Sequence, residues 1–464
     1  MKRRLSSIIL IIFAALTLSS CGSNVLLFLN WGEYVDESLI EEFEERYNCT
    51  VQMDLGDTNE IFYAKAKSGT TVYDVFCPSD YMVERMYAND ILEELDLSLM
   101  PNVKAALDDE KLSTKKIYED MNKNLKKKLG DSYVDGTINK YAVPYLSGTW
   151  CIMYRTENPE LVEAITNNKK NQWASLFDRS TIPAGVDVGM YDSYQHVYYA
   201  ICRYLGFDPT DELNKTNLDL IGETISKMNY EMWGTDNLKK KIVEDNLDMA
   251  FMWTGDFIYY YGLEGAKTAM RAYVNGDITL DQCASFIDDL TDDDKKAVAN
   301  GNTYTIGYDA FIPDDTIAFC DNLVINKESS NKDLAHKFID FMSSRELLDE
   351  EDETSYPAYK NTYYVGYDSP YLKSYDDLTG LNDPEIFTED LIEEFDPKLS
   401  DDKLFDTDLY WAFADYITGI CFSKYYENDE YLNDNNLEPK GNILAFFDRK
   451  YVNTINTTFN NARV

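Results

Sequence analysis

The sequence contains few histidines and none of the motifs that mark the common enzyme sites. Its 464 residues include two histidines, His196 and His336, which lie far apart in the chain. The HExxH, GxSxG and glycine-rich phosphate-binding motifs are absent, so nothing supports a zinc protease, a serine hydrolase or a nucleotide-dependent enzyme. We therefore predict no catalytic residue and no cofactor.

Cysteine pairs with metal-binding or redox spacing are also absent. Besides Cys21, seven cysteines occur without CxxC spacing, at positions 49, 77, 151, 202, 283, 320 and 421. This odd number predicts buried free thiols rather than a disulfide framework. The acid-rich runs at 288–294 and 428–436 lack the glycine and the terminal glutamate of an EF-hand loop, so we predict no metal site.

Basic residues are scarce. The chain has 43 Lys and Arg against 83 Asp and Glu, a formal net charge of -40. Nucleic acids and anionic lipids reward clusters of Lys and Arg, so neither is predicted as a partner. The excess of acid favours the attraction of cations, although acidic residues that only keep a surface protein soluble are an equally simple explanation.

Long apolar runs are missing except at the start of the chain. Basic residues at positions 2–4 precede an apolar stretch at 5–18, which ends in Leu18-Ser19-Ser20-Cys21. This order is typical of a secretory signal peptide, here residues 1–20, and the stretch is short for a membrane span. The last four residues resemble a bacterial lipobox, which implies lipidation of Cys21 and a tether at 21–24. The alternative is an uncleaved anchor; either way the remaining chain is expected outside the cytoplasm.

The first third of the chain alternates between strand and helix patterns. Apolar runs predict strands at 25–29, 50–53 and 72–77, with helices between them and after Pro78-Ser79-Asp80. Such alternation predicts an α/β fold with a mainly parallel sheet. Ligands of these sheets bind at the carboxyl ends of the strands. The loops Asn30–Tyr34 and Pro78–Tyr81 both lie at such ends.

The remaining chain mixes extended and helical patterns, and its length predicts two lobes. Extended patterns occur at 140–147, 152–154, 248–253 and 314–326, and helical spacing at 197–205, 333–343 and 409–420. We predict a turn at Thr254-Gly255-Asp256. The segment 257–312 is predicted to be an acidic helical insertion, and no role is assigned to 396–464.

Ten short segments share their order and spacing with one family. They are Asn30-Trp31-Gly32-Glu33-Tyr34-Val35, Thr58-Asn59-Glu60, Tyr63-Ala64-Lys65, Tyr73-Asp74-Val75, Pro78-Ser79-Asp80-Tyr81, Val143-Pro144-Tyr145, Trp253-Thr254-Gly255-Asp256, Phe319-Cys320-Asp321-Asn322, Ala335–Phe341 and Tyr356-Pro357. In these patches the chain resembles the spermidine/putrescine-binding proteins of bacterial ABC transporters.

The resemblance implies a two-lobed periplasmic-binding-protein fold of type II, with a hinge of crossing strands. Lobe 1 would comprise 25–145 and 321–365, and lobe 2 would comprise 146–320 and 366–464. It implies a receptor that captures spermidine or putrescine between the lobes. Together with the lipobox this predicts a lipid-anchored receptor, and a monomer is the default expectation because the sequence does not report the oligomeric state. The receptor would deliver the polyamine to an ABC permease and its ATPase without chemical turnover. The alternatives are a receptor for another small solute, or an adhesin or structural lipoprotein that retains the fold.

The resemblance also implies a set of ligand-binding residues. They are Trp31, Tyr34, Ser79, Tyr81, Asp192, Trp253, Asp256, Asp321 and Tyr356. Trp253 as a core residue and Asp256 as a helix cap remain open, and Glu33 is expected to be solvated. Many relatives carry a second acid where this chain has His196, so that imidazole must be neutral or turned away if the site binds cations.

Aromatic and acidic residues together suit the chemistry of a polyamine. Its methylene groups favour flat apolar walls, and its ammonium groups favour carboxylates or the faces of aromatic rings. The sequence does not choose between putrescine and spermidine.

Overall fold

The computed structural model describes residues 24–102, 140–167, 171–210, 213–235, 237–244, 246–276, 307–344, 357–370, 378, 380–382, 386–425, 442–443 and 449–463. The predicted signal peptide, Cys21, Tyr356 and the two acid-rich runs lie outside the described residues, as does the middle of the segment 257–312.

The described residues form a mixed sheet with helices packed on it. The strands are β1 (Val25–Asn30), β2 (Thr50–Leu55), β3 (Val75–Phe76), β4 (Ala142–Arg155), β5 (Val188–Tyr191), β6 (Met232–Gly234), β7 (Met249–Trp253), β8 (Tyr308–Phe311), β9 (Ile317–Ile325) and β10 (Asn442–Ile443). The helices are α1 (Glu37–Tyr47), α2 (Asn59–Ser68), α3 (Asp80–Ala88), α4 (Pro159–Thr166), α5 (Ala174–Phe177), α6 (Tyr194–Leu205), α7 (Lys215–Met228), α8 (Asn237–Val243), α9 (Thr254–Asn275), α10 (Lys332–Met342), α11 (Pro357–Val365), α12 (Glu389–Glu394), α13 (Asp401–Leu404), α14 (Asp408–Tyr425) and α15 (Arg449–Ala462).

The first group of strands is parallel, as the sequence predicts. β1 pairs with β2 on one side and β3 on the other. α1 begins where Asp36 accepts the Ser38 N–H at 2.9 Å, and it buries Leu39 and Phe43. The predicted strand at 72–77 is shorter than expected, because only Val75 and Phe76 pair with β1 and β9.

Two long strands join this group to a second one. β4 and β9 pair antiparallel from Ala142–Thr149 to Ala318–Val324. The C-terminal residues of β9 pair with β3, whereas the C-terminal residues of β4 pair with β7 and β8. The strand order is β2-β1-β3-β9-β4-β7-β5-β6, so two strands cross between the groups. The lobe boundaries predicted from the sequence lie within these two strands and remain a prediction.

The second group differs from the sequence prediction at the end of β7. Thr254-Gly255-Asp256 is the first turn of α9 rather than a loop. The predicted insertion contributes to the core at both ends, because α9 buries Phe257 and Ile258 and β8 pairs with β4. Its acidic composition misled the prediction: Glu264 is the only acid between positions 257 and 276, and the others follow it.

The C-terminal segment covers the second group. α14, which the sequence predicts, packs along α9, and α15 packs against α6 and α7. Within the described residues six cysteines are free thiols, and five of them are buried as predicted, whereas Cys49 is partly exposed. No cluster of metal-ligating side chains occurs among the described residues, and none of the helices described is long and apolar enough to cross a membrane.

Candidate functional site

A cavity of about 40 Å³ lies where the two groups of strands meet. Its walls come from the carboxyl ends of strands and from the crossing strand β9. They are lined by Trp31, Gly32, Tyr34, Gly56, Asp57, Ser79, Tyr191, Trp253, Asp256, Phe319, Asp321 and Tyr367. Six of the residues implied by the resemblance therefore converge here, namely Trp31, Tyr34, Ser79, Trp253, Asp256 and Asp321.

Strand ends and two hydrogen bonds from Asn59 position the polar residues that line the cavity. Trp31 follows the last residue of β1, and Ser79 precedes α3. Asn59 fixes Ser79 twice: its Nδ2 donates to Ser79 Oγ at 2.9 Å, and its Oδ1 accepts the Ser79 N–H at 3.0 Å. Ser79 forms an isolated antiparallel bridge with Asp321 on β9. The two loops and the crossing strand are thus held in one arrangement.

Asp321 is a buried carboxylate with one oxygen free to bind a donor. Its residue is 5% exposed, and the Tyr34 hydroxyl donates to Oδ2 at 2.8 Å. Oδ1 has no hydrogen-bond partner among the described residues. Burial raises the pKa of Asp321 to about 7, against the opposing effect of the Ser79 and Tyr34 hydroxyls. The Ser79 hydroxyl lowers the pKa of Asp321, but it does not form a hydrogen bond with Oδ1. A cation at Oδ1 would stabilise the ionised carboxylate.

Aromatic rings form the walls of the cavity. The Trp31 ring lies 4.4 Å from that of Phe62, and the Trp253 ring lies 4.5 Å from that of Phe319. Trp253 also packs against Trp150 at 3.7 Å, so this partly buried ring packs against the core and lines the cavity. Such walls accept methylene groups and cations on their faces.

Tyr367 belongs to the cavity although sequence reasoning missed it. Its ring lies 4.8 Å from that of Tyr34. A Cβ at Gly255 would lie 2.3 Å from Cγ of Tyr367, so this ring requires a glycine in the first turn of α9. Tyr356, the tyrosine implied by the resemblance, lies outside the described residues.

Phe319 carried a signal that the sequence analysis did not use. It lies two residues before Asp321, and alternate residues of a strand face the same side. Gly32 lies in the loop Asn30–Tyr34, which the sequence placed at a strand end, and Gly56, Asp57 and Tyr191 also lie at or just after the carboxyl ends of strands. The position of these last three at strand ends was the signal that could have found them.

Asp256 lines the cavity but already binds a cation. Its Oδ1 lies 2.8 Å from Lys239 Nζ, and its Oδ2 has no partner among the described residues. Glu33 is exposed, as expected of a solvated residue, and its carboxylate also binds Lys239 at 3.0 Å and Lys240 at 2.9 Å. Desolvation opposes the effect of these two lysines, and the pKa of Glu33 is lowered overall.

Asp192 and Tyr81 do not line the cavity. The Asp192 side chain is 41% exposed and lies 3.0 Å from Arg463 Nη1. α15 brings Arg463 next to Asp192. The carboxylate that was expected to bind a ligand is therefore already paired with an arginine. Tyr81 is buried and its hydroxyl has no partner among the described residues, but its ring faces His196 at 6.2 Å.

His196 is buried beside the aromatic wall of the cavity, and its imidazole is neutral. Burial lowers its pKa to about 3. Its Nδ1 lies 2.6 Å from Ser193 Oγ, and its ring lies 4.8 Å from Trp150 and 5.4 Å from Trp253. The His196 ring therefore supports Trp253 on the side away from the cavity.

The fold resembles two solved structures of bacterial proteins. The putative spermidine/putrescine ABC transporter from Listeria monocytogenes superposes with a TM-score of 0.58 at 21% identity, over 95% of this chain and 99% of that one. The lipoprotein Tp0655 (TpPotD) of Treponema pallidum gives 0.56 at 18% identity, again over 95% and 99%. The predicted fold class, a two-lobed α/β periplasmic-binding-protein fold, is thereby confirmed.

Sequence comparison points the same way. The putrescine-binding periplasmic protein SpuD of Pseudomonas aeruginosa is 24% identical over 71% of this chain and 77% of its own length. The spermidine/putrescine-binding periplasmic protein of Salmonella typhimurium is 25% identical over 50% and 59%. The model for bacterial extracellular solute-binding proteins matches residues 30–347. The chain therefore belongs to the family of bacterial extracellular solute-binding proteins.

Proposed function

We propose that this protein captures a linear polyamine, spermidine or putrescine, in the cavity around Asp321. One observation carries the proposal: a buried carboxylate presents an unpartnered oxygen inside a cavity walled by aromatic rings. An ammonium group satisfies that oxygen, and the attached methylenes match Trp31 and Trp253. The names of the relatives from Pseudomonas and Salmonella support the same class of ligand.

The expected affinity follows from these contacts. A charge-assisted hydrogen bond contributes about 1.5 to 3 kcal/mol, and a cation over an aromatic ring contributes about 0.5 to 2 kcal/mol. Several such contacts, less the cost of ordering a flexible ligand, give a Kd of roughly micromolar or lower. Anionic solutes fit less well, because the lining residues include three acids and no arginine or lysine.

Closure of two lobes around the ligand is part of the proposal. Contacts between residues of the two predicted lobes are consistent with a closed arrangement. Lys240 binds Glu33 at 2.9 Å, and Gln195 donates a hydrogen bond to Glu60. A ligand held from both sides would stabilise such an arrangement over an open one.

The remaining elements of the proposal concern location and partners. We propose removal of residues 1–20 and lipidation of Cys21, which would anchor a monomeric receptor to the outer face of the cell membrane. The receptor would then pass its ligand to an ABC permease driven by an ATPase, without chemical turnover.

A thermal-shift screen tests the proposed ligand class. Putrescine and spermidine are expected to raise the melting temperature of the purified mature protein, because they bind the folded state alone. Sugars and neutral amino acids serve as controls and are expected to leave it unchanged. A shift with a sugar or amino acid but no polyamine would identify a receptor for another solute. No shift with any compound would favour an adhesin or structural lipoprotein.

A further inference from the structure

Lys239 is a buried lysine beside the candidate site. It is 2% exposed, and α8 places its Nζ 2.8 Å from Asp256 Oδ1 and 3.0 Å from Glu33 Oε2. The Tyr260 ring lies 5.9 Å from the same nitrogen. Carboxylates and an aromatic face are the groups that a polyamine ammonium favours. The chain thus presents an ammonium of its own at the edge of the cavity.

The position of this ammonium limits how far a ligand can extend. A second cavity, of about 340 Å³, adjoins the first, and both are lined by Tyr34 and Asp256. Lys239 lines the second cavity only. A linear ligand that begins at Asp321 and continues past Asp256 would therefore bring its next ammonium close to Lys239.

The charges around Asp256 balance without a ligand. Asp256 and Glu33 carry two negative charges, and Lys239 and Lys240 carry two positive charges within 3.0 Å of them. A ligand ammonium near Asp256 would be attracted by one carboxylate and repelled by the buried Lys239 at close range. Glu37, which also lines the second cavity, is exposed and screened by solvent. Asp321 and Asp57 are the lining acids of the first cavity that no described lysine or arginine neutralises.

We propose that Lys239 occupies the position of a third ligand ammonium and so restricts the cleft to diamines. This inference rests on the proposed polyamine function and specifies the ligand within it. A diamine such as putrescine places one charge at the buried Asp321 and the other toward Asp57, which is exposed and screened by solvent, so that both charges lie away from Lys239. A triamine such as spermidine must place one more charge beside a lysine that it cannot displace without leaving that lysine unpaired and buried.

Calorimetry with putrescine and spermidine on the mature protein and three variants tests this inference. The wild type is expected to bind putrescine at least tenfold more tightly than spermidine. Lys239→Met frees Asp256 and is expected to shift the ratio of the two Kd values toward spermidine by at least tenfold. Lys240→Met is the matched control, since Lys240 is 49% exposed and contacts Glu33 but not Asp256; it is expected to change the ratio by less than threefold.

The double variant Lys239→Met with Asp256→Asn removes both buried charges and so remains informative if the single variant does not fold. It is expected to shift the ratio of the two Kd values toward spermidine, but by less than Lys239→Met does, because it removes both the repelling ammonium and the carboxylate that would bind the third ligand ammonium. A folded double variant that keeps the wild-type ratio would overturn the inference. An unchanged ratio in folded Lys239→Met, or a wild type that prefers spermidine, would also overturn it. Failure of the wild type to bind either compound would instead contradict the proposed function.

Discussion

Replacing Asp321 with asparagine is expected to weaken the binding of putrescine or spermidine by at least tenfold. Asparagine keeps an oxygen that accepts the Tyr34 hydroxyl, which Asp321 binds at 2.8 Å. It removes the negative charge at the oxygen without a partner. A hydrogen bond to a charged group contributes about 1.5 to 3 kcal/mol, and each 1.4 kcal/mol corresponds to about a tenfold change in Kd. Calorimetry at pH 8 measures the effect.

Asp192→Asn provides the matched control for this substitution. Asp192 is an acid of the same type that the sequence placed in the site, but it binds Arg463 outside the cavity. Its replacement is expected to leave polyamine affinity within twofold of wild type. Equal losses in the two variants would mean that net charge, rather than contact at Asp321, governs binding.

Wild-type protein and Asp321→Asn are expected to differ in how their stability and polyamine affinity depend on pH. Burial raises the pKa of Asp321 to about 7, above its value in the unfolded chain, so the folded state binds more protons between about pH 4 and 7. Ionisation of Asp321 above that range destabilises the ligand-free protein, and Asp321→Asn should therefore melt no lower than wild type at pH 8. Wild-type affinity for a cation should fall roughly tenfold for each pH unit below 7.

The asparagine variant should lose most of that pH dependence. Asp80 is another buried carboxyl close to Asp321, and burial raises its pKa to about 8. It accepts the N–H of Cys320 at 2.9 Å and does not line the cavity. Any slope that remains in the variant would report other carboxyls with a raised pKa, such as Asp80 and Glu60. A wild-type affinity that is constant from pH 5 to 8 would contradict the assignment of Asp321 as the ammonium partner.

Trp31→Ala is expected to reduce polyamine affinity by about tenfold while the fold is retained. The substitution removes one aromatic wall, whose cation–π contribution is about 0.5 to 2 kcal/mol, together with the apolar surface that covers the methylenes. Trp31 is only partly buried, and its ring packs mainly on Phe62. Calorimetry gives the affinity, and far-ultraviolet circular dichroism checks the fold.

Trp411→Ala is the control for loss of a tryptophan. Trp411 lies on α14, is 46% exposed and does not line the cavity. Its replacement is expected to leave affinity unchanged. An unchanged Kd in folded Trp31→Ala would remove this ring from the site.

Local patterns predicted much of the site. The strand end at Asn30, the loop at Ser79 and the crossing strand that carries Asp321 all follow from apolar runs and their flanking residues. Side chains at the carboxyl ends of neighbouring strands must lie close together. The positions of Trp31 and Ser79 were therefore accessible from the local pattern, whereas Asp321, in the middle of an antiparallel strand, was predicted only from the resemblance to the family.

The residues that the sequence misplaced depend on contacts across long distances in the chain. Arg463 reaches Asp192 over 271 positions, and no local pattern reports that α15 returns to this strand end. Lys239, for which no role was predicted from the sequence, lies only 17 positions before Asp256, but it belongs to a short lysine-rich helix whose composition is typical of an exposed surface. Propensity and periodicity give the elements, whereas these pairings arise only when the elements pack.

A crystal structure of the protein with putrescine tests the central claim most directly. One ammonium nitrogen is expected within about 2.7 to 3.2 Å of Asp321 Oδ1, with the methylene chain between Trp31 and Trp253. Putrescine bound elsewhere, or in this cavity without a nitrogen in contact with Asp321, would contradict the claim.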